Sequence, residues 1–388
     1  MRSDVASIQL SQKRKLSYAE YALIAMILAI ATKFCTLPSV LAGSASSKAI
    51  WTVLLLLGTE FLLLFFATKT AKSGGLLLLP LKKGVRIPVL ALFTIFFLLK
   101  LTAFSREIAT YYALSLFENV QVLPILILLL VACAAVARKG YVTIGRMSEI
   151  FVWLFLFVFL FVVIFTRADG DGFHALAMFN PDFSGMGEGF YKGLAWSGDS
   201  AVVALLDLRG EERFSPHARG VPTPEERTRA KRKIVAAALL FATVLVTLFY
   251  ALFLSAYGDA AKMTDYAFIK LSVFKANTDE LGSADWPIII LWSILSCLYL
   301  SLIFLSGKEC LSGIRDEKDA RKNALSIFFL LGGAAVLLSM LFLDEEGDYE
   351  SFMAKAMSVA SILAGALTIG TGVYAMINRK EAKNEEQE

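Results

Sequence analysis

The chain has 388 residues, 57% of them hydrophobic, with a mean hydropathy of +0.65 and a formal charge of +4. Soluble domains are about 45–50% apolar, so a water-soluble globular class is excluded and an integral membrane protein is indicated. The four cysteines (Cys35, Cys133, Cys297, Cys310) fall in apolar segments without metal or redox spacing and read as small buried hydrophobes, not as a disulfide or zinc framework.

A window of about 20 residues, the length that crosses a bilayer as helix, finds ten apolar segments. They run 18–44, 49–68, 87–117, 120–137, 142–166, 187–206, 234–257, 286–307, 323–343 and 353–377. The first contains T-K-F-C-T-L-P (32–38), a lysine and a proline at mid-depth. A charge there costs about 2.5–3.5 kcal/mol on insertion scales, and proline removes a backbone donor. Lys33 also interrupts the apolar run before any cleavage site, so this start reads as a retained span and not as a signal peptide.

The second segment carries Glu60 near its middle. The third carries Lys100, Arg106 and Glu107, with Lys100 and Glu107 seven apart and so on one helical face. In the fifth, Arg146 and Glu149 have the spacing of a surface pair within one helix. The sixth is the least apolar, interrupted by Glu188, Lys192 and Asp199, and contains A-W-S-G-D-S (195–200). A basic, Pro- and Glu-rich loop spans 208–233; its composition fits a solvated cytoplasmic loop better than a nucleic-acid surface. The stretch 263–275 mixes aromatics with lysines, as an interfacial helix lying flat or an ordered loop would. In the eighth segment, W-S-I-L-S-C (292–297) places Ser296 where it could line a route.

With the N-terminus inside, 28 of the 38 basic residues fall on the inner side and seven on the outer, leaving Lys33, Lys100 and Arg106 within the membrane. The positive-inside rule therefore favours ten spans with both termini cytoplasmic. Ten spans divide into repeats of five, 18–166 and 187–377, and an odd number inverts the second repeat. Spans 1 and 6 then correspond, and each is irregular at matching depth, which is the sequence pointer to a transporter's central site. The expected fold is an all-α integral membrane protein of ten helices in a five-plus-five inverted repeat, with helices 1 and 6 discontinuous.

Unwound backbone cannot stay bare in hydrocarbon, so the breaks are where a polar ligand would bind. The candidate ligand residues are Thr32, Lys33, Phe34, Cys35 and Thr36 with Ser197, Gly198, Asp199 and Ser200. Lys33 and Asp199 are expected to pair across the breaks. Glu60, Lys100, Arg106, Glu107 and Asp199 form the candidate charge or coupling network, three bases balancing three acids once Lys33 is counted. Lysines at such depth can also stand where other transporters bind sodium. No phosphate loop, metal-ligand cluster or nucleophile–histidine arrangement is present, and His174 and His217 lie in loops on opposite sides, so no enzyme chemistry, metal or cofactor is expected.

The segments A-A-V-A-R-K-G-Y-V-T-I-G-R-M-S-E-I (134–150) and F-N-P-D-F-S-G-M-G-E-G-F (179–190) carry a family likeness. The chain resembles the spore-germination permease family, the membrane-spanning B subunits of nutrient germinant receptors, within the amino acid–polyamine–organocation superfamily. The family's sixth span often has an aromatic and a glycine followed by Glu; this chain carries Asp199 instead. The resemblance implies a small-nutrient sensor for a ligand such as an amino acid, acting with A- and C-type receptor subunits in the spore inner membrane. An amino acid permease, proton-coupled or not, and a structural scaffold are the readings from other classes.

Overall fold

In the computed structural model the described residues are 16–115, 120–165, 183–208, 224–273, 285–314, 324–341 and 346–385. They form helices joined by short turns. In chain order the helices are α1 (Tyr18–Ile30), α2 (Leu37–Ala45), α3 (Ala49–Lys72), α4 (Lys83–Ser115), α5 (Val122–Ala137), α6 (Tyr141–Phe165), α7 (Met186–Gly193), α8 (Ala201–Ala204), α9 (Pro224–Tyr257), α10 (Ala267–Val273), α11 (Asp285–Ile314), α12 (Ala324–Met340) and α13 (Glu346–Glu385). Most of the basic 208–233 loop, residues 209–223, lies outside the described set.

Six of these helices are long and apolar enough to cross a membrane unaided: α3, α4, α6, α9, α11 and α13. Three shorter apolar helices, α1, α5 and α12, add to them. α1 continues through a turn into α2, and α7 continues through another into α8, so each pair makes one interrupted span. The outward faces carry large exposed apolar side chains such as Leu128, Trp153 and Phe329, the reverse of a water-soluble surface and suited to lipid.

Local sequence explains the interruptions. α1 begins with a capping box: the Ser17 hydroxyl accepts from the Glu20 amide, and the Glu20 carboxylate accepts from the Ser17 amide. It ends before residues 31–36, which are turns. Pro38 lies in the first turn of α2. There a missing N–H costs nothing, so this proline starts the second half-helix as much as it ends the first.

α7 packs its glycine-rich face against α2 and α3. A methyl group at Gly189 would stand 3.1 Å from Ala45 Cβ, and one at Gly193 2.4 Å from Leu56 Cδ1. The centre of the bundle is α4 against α11, the most extensive helix pair, with α5 and α12 also resting on α4. α1 rests on α9 and α6, and α13 on α3. The two broken spans are thereby held against α3, α4 and α11, which supply the side chains described next.

Two expected local features turn out differently. Arg146 does not pair within its own helix; its Nε lies 3.5 Å from Glu20 Oε1 and joins α6 to the start of α1. The described part of the 263–275 stretch, residues 263–273, packs inward. Its helix, α10, is tucked into the bundle with Ala267, Phe268, Ile269 and Leu271 buried. Phe268 enters an aromatic cluster with Phe34, Phe155, Phe159 and Phe249. Burying that ring removes far more apolar area from water than an interfacial pose would.

Candidate functional site

The first break leaves backbone groups without helical partners, and the chain supplies them. The carbonyls of Phe34 and Cys35 accept from the amides of Phe268 at 3.1 Å and Ala267 at 3.0 Å, at the start of α10. Glu107 of α4 takes the other sense: its Oε1 accepts from the Thr36 amide at 3.1 Å and from the Thr36 hydroxyl at 2.6 Å. Ser39 donates to the Thr36 carbonyl at 2.7 Å and to Asp265 at 3.1 Å.

The second break turns on Gly198, whose φ is +87°. That left-handed conformation suits glycine, and a Cβ here would meet the Phe96 ring at 3.2 Å. The Gly198 amide donates to Glu60 Oε1 of α3 at 2.5 Å. Ser361 of α13 donates to the Ser197 carbonyl at 3.1 Å. Two carboxylates on two different spans thus each accept an orphan amide of a different break, as the bilayer's intolerance of bare backbone requires.

The charges do not pair as the sequence leads one to expect. Lys33, fully buried, donates its ammonium to the Trp196 carbonyl and not to Asp199. Asp199 instead pairs with Lys100 of α4, Nζ to Oδ1 at 2.9 Å, with both side chains buried. Tyr299 of α11 donates to the same oxygen at 3.0 Å, and Thr32 makes a longer contact to Oδ2 at 3.4 Å. Lys33 still has the Asp199 and Glu60 carboxylates as its main electrostatic neighbours. The correction is one of partner. A half-helix ending in a carbonyl offers an ammonium a ready acceptor, while Asp199 turns toward α4 and α11.

Around the second break polar atoms remain unserved. The Lys100 ammonium is a charge contact to Asp199, not an aligned hydrogen bond, and it lies 5.8 Å from the centre of the Phe96 ring. The hydroxyls of Ser197, Ser200 and Ser296 are buried with no hydrogen-bond partner among the described residues. Leaving a buried polar group unsatisfied costs about 1–3 kcal/mol, so the Ser197 and Ser200 hydroxyls, both in the second break, mark a place suited to something polar.

The candidate residues are therefore sorted by place. Thr32, Lys33, Ser197, Gly198, Asp199 and Ser200 gather with Glu60 and Lys100 around the facing breaks. Thr36, with Cys35 beside it, gathers with Glu107 at the first break's far end. The Phe34 side chain belongs to the aromatic cluster, its ring 4.4 Å from that of Phe249. Arg106, next to Glu107 in sequence, donates to the Ser339 carbonyl of α12 at 2.8 Å and is not brought to the breaks. Sequence reasoning missed Tyr299 and the role of α10 at the first break. A tyrosine inside a buried span is a usable signal, because a buried phenol usually finds a partner. Among the described residues, no group of three His, Cys, Asp or Glu side chains gathers to hold a metal.

An open crevice leads toward this cluster between α1, α3 and α9, on the half of the bundle where α1 begins. Ala25, Leu57 and Leu239 wall it, and Glu60, Ser200 and Thr243 are its polar lining residues. On the other half, α10 covers the first break.

No protein-family model matches this chain, and no curated protein matches it. Its fold does match solved structures. MhsT in complex with L-phenylalanine aligns with a TM-score of 0.62 at 14% identity, over 92% of this chain and 89% of that one. A Na+-coupled sialic acid symporter in a substrate-bound outward-open state aligns with a TM-score of 0.54 at 12% identity, over 92% and 88%. A manganese transporter of Eremococcus coleocola, in variant form, aligns with a TM-score of 0.51 at 12% identity, over 92% and 76%. At these identities the likeness is one of fold. The chain is a multi-pass membrane protein with the ten-helix, five-plus-five inverted-repeat architecture, its first and sixth helices discontinuous. Two of the matched proteins are named as a symporter and a transporter.

Proposed function

We propose that this chain is the membrane subunit of a nutrient-sensing germinant receptor, binding a small ligand such as an amino acid between the two breaks. The repeats are 18–166 and 187–377, and both termini face the cytoplasm of a bacterial cell or the interior of its spore. A- and C-type subunits are its partners. One observation carries the ligand site: facing broken helices, with the Ser197 and Ser200 hydroxyls of the second break buried without hydrogen-bond partners among the described residues. The likeness of residues 134–150 and 179–190 to the germination family supports the receptor role.

In this reading the ligand biases one of two packings of the bundle, and only a difference in affinity between them can do so. Lys33 on the Trp196 carbonyl acts as the chain's own cation at the breaks, so no sodium ion is needed there. The second reading is an amino acid permease. The crevice that reaches Glu60 and Ser200 favours it, because a permease must open its site to one side. L-Phenylalanine bound to MhsT and the named solute of the sialic acid symporter make small organic solutes the natural ligands for both readings.

The test is paired binding and uptake of a labelled amino-acid panel by this protein alone in proteoliposomes. Binding without flux supports the receptor subunit, binding with flux the permease. Neither, in protein shown to be folded, refutes a self-sufficient site at the breaks.

A further inference from the structure

Four charges face one another around the second break: Lys33, Lys100, Glu60 and Asp199. Their formal sum is zero. Asp199 Oδ1 meets Lys100 and Tyr299, while Oδ2 has only the long contact from Thr32, whose hydroxyl also lies 3.3 Å from the Trp196 carbonyl. Donors remain to spare: the Lys100 ammonium has three N–H groups and meets one carboxylate oxygen, and the hydroxyls of Ser197, Ser200 and Ser296 have no hydrogen-bond partner among the described residues. That imbalance suits an acceptor-rich group, and a carboxylate is the plainest one.

A carboxylate entering a neutral cluster leaves one negative charge uncompensated at membrane depth, where an isolated ion is costly. The crevice shows where a compensating positive charge can enter. Glu60 and Ser200 line it, and Glu60 is the carboxylate that also holds the Gly198 amide. The charged groups facing Glu60 are Lys33 from the first break, Lys100 from α4 and Asp199 from the second break. No ion pair closes on Glu60 among the described residues.

We infer that Glu60 takes one proton from water in the crevice when the site takes one singly charged carboxylate at Lys100 and the serines of the second break, so that the pair binds without net charge. The inference rests on the breaks being a ligand site and narrows the ligand to a molecule of net charge −1, a monocarboxylate or an acidic amino acid. In the proton step a hydronium ion gives its proton to the Glu60 carboxylate, leaving water and a neutral carboxylic acid. Gly198 then donates to a neutral carbonyl in place of an ionised oxygen, a weaker contact. The proton therefore also loosens the hold on the second break as the ligand arrives.

The experiment uses the full chain in lipid nanodiscs, in weak buffer with a pH-sensitive dye. The probes are L-glutamate and L-lactate as anions and L-alanine as a zwitterion. The expected result is about one proton taken up per bound anion, none with L-alanine, and an anion affinity that falls up to about tenfold per pH unit on the alkaline side. Glu60→Gln, a fixed mimic of the protonated acid, is expected to bind anions without proton uptake and without that pH dependence. Glu60→Asp, which keeps the titrating group, is expected to retain the uptake should the glutamine variant not fold. Anion binding with no proton uptake by the wild-type chain overturns the inference, as does undiminished uptake in folded Glu60→Gln. Binding of L-alanine alone overturns it while leaving the ligand site standing. Binding of no probe, nor of any member of the amino-acid panel, overturns both.

Discussion

Lys100 and Glu107 stand seven residues apart on one face of α4, and each holds a different broken helix. Glu107 accepts the amide and hydroxyl of Thr36 in the first, and Lys100 meets Asp199 in the second. Seven residues are about two helical turns, so a single unbroken helix spans the distance between the two breaks and reads both. Any tilt or rotation of α4 acts on both breaks together.

The first prediction concerns the ion pair. Lys100→Ala leaves Asp199 buried and uncompensated, which is expected to cost about 3–5 kcal/mol. Lys100→Ala with Asp199→Ala is expected to recover much of it, because no lone charge remains. A double-mutant cycle on thermal unfolding in detergent checks this, and Lys33 with Asp199 is expected to show the smaller coupling. A larger coupling for Lys33 would contradict the pairing described above.

The second concerns the aromatic cluster. Phe268→Ala removes a ring stacked on Phe34 and Phe159 and tilted against Phe155, and is expected to destabilise by about 3–5 kcal/mol. An interfacial helix lying flat would lose almost nothing. Melting temperatures of the two proteins distinguish these cases directly.

Gly198→Ala is the third. At φ +87°, with the Phe96 ring 3.2 Å from the added methyl, alanine is expected to cost about 1–3 kcal/mol. Ligand binding is expected to weaken as well, since Glu60 grips this residue's amide. Isothermal titration alongside thermal unfolding separates the two effects.

For the fourth, ligand affinity is expected to be the same in sodium and in choline chloride at equal ionic strength. Lys33 already places an ammonium on the Trp196 carbonyl. A tenfold or greater loss of affinity in choline would show that a bound sodium ion shares the site.

Much of this was legible in the residues. T-K-F-C-T-L-P and A-W-S-G-D-S place polar and helix-breaking groups at a depth where they cost most, so both had to serve a tertiary purpose. Depth along a span is a one-dimensional property, and sequence carries it well. Pairing depends on how each helix is rotated about its own axis, which sequence does not carry. Lys33 and Asp199 were rightly placed at one level and wrongly joined, because the acceptor of Lys33 is a main-chain oxygen. Every residue has one, so it leaves no mark in the sequence. Arg146 was hidden for a related reason: a neighbour three positions away is visible, and Glu20 on another helix is not. The partners of Phe268 leave no mark either, because aromatics with intervening lysines read alike whether the aromatics face lipid or a neighbouring helix.

The Lys33 contact also bears on how the chain is made. Its acceptor, Trp196, lies 163 residues further along. At about 5–20 residues per second a ribosome needs on the order of 8–30 s to reach it. During that interval the opening span carries a charge whose eventual acceptor has not yet been synthesised. The most delicate moment for this protein therefore falls early in translation, and variants at Lys33 or Trp196 are expected to act on yield at insertion before they act on the finished fold.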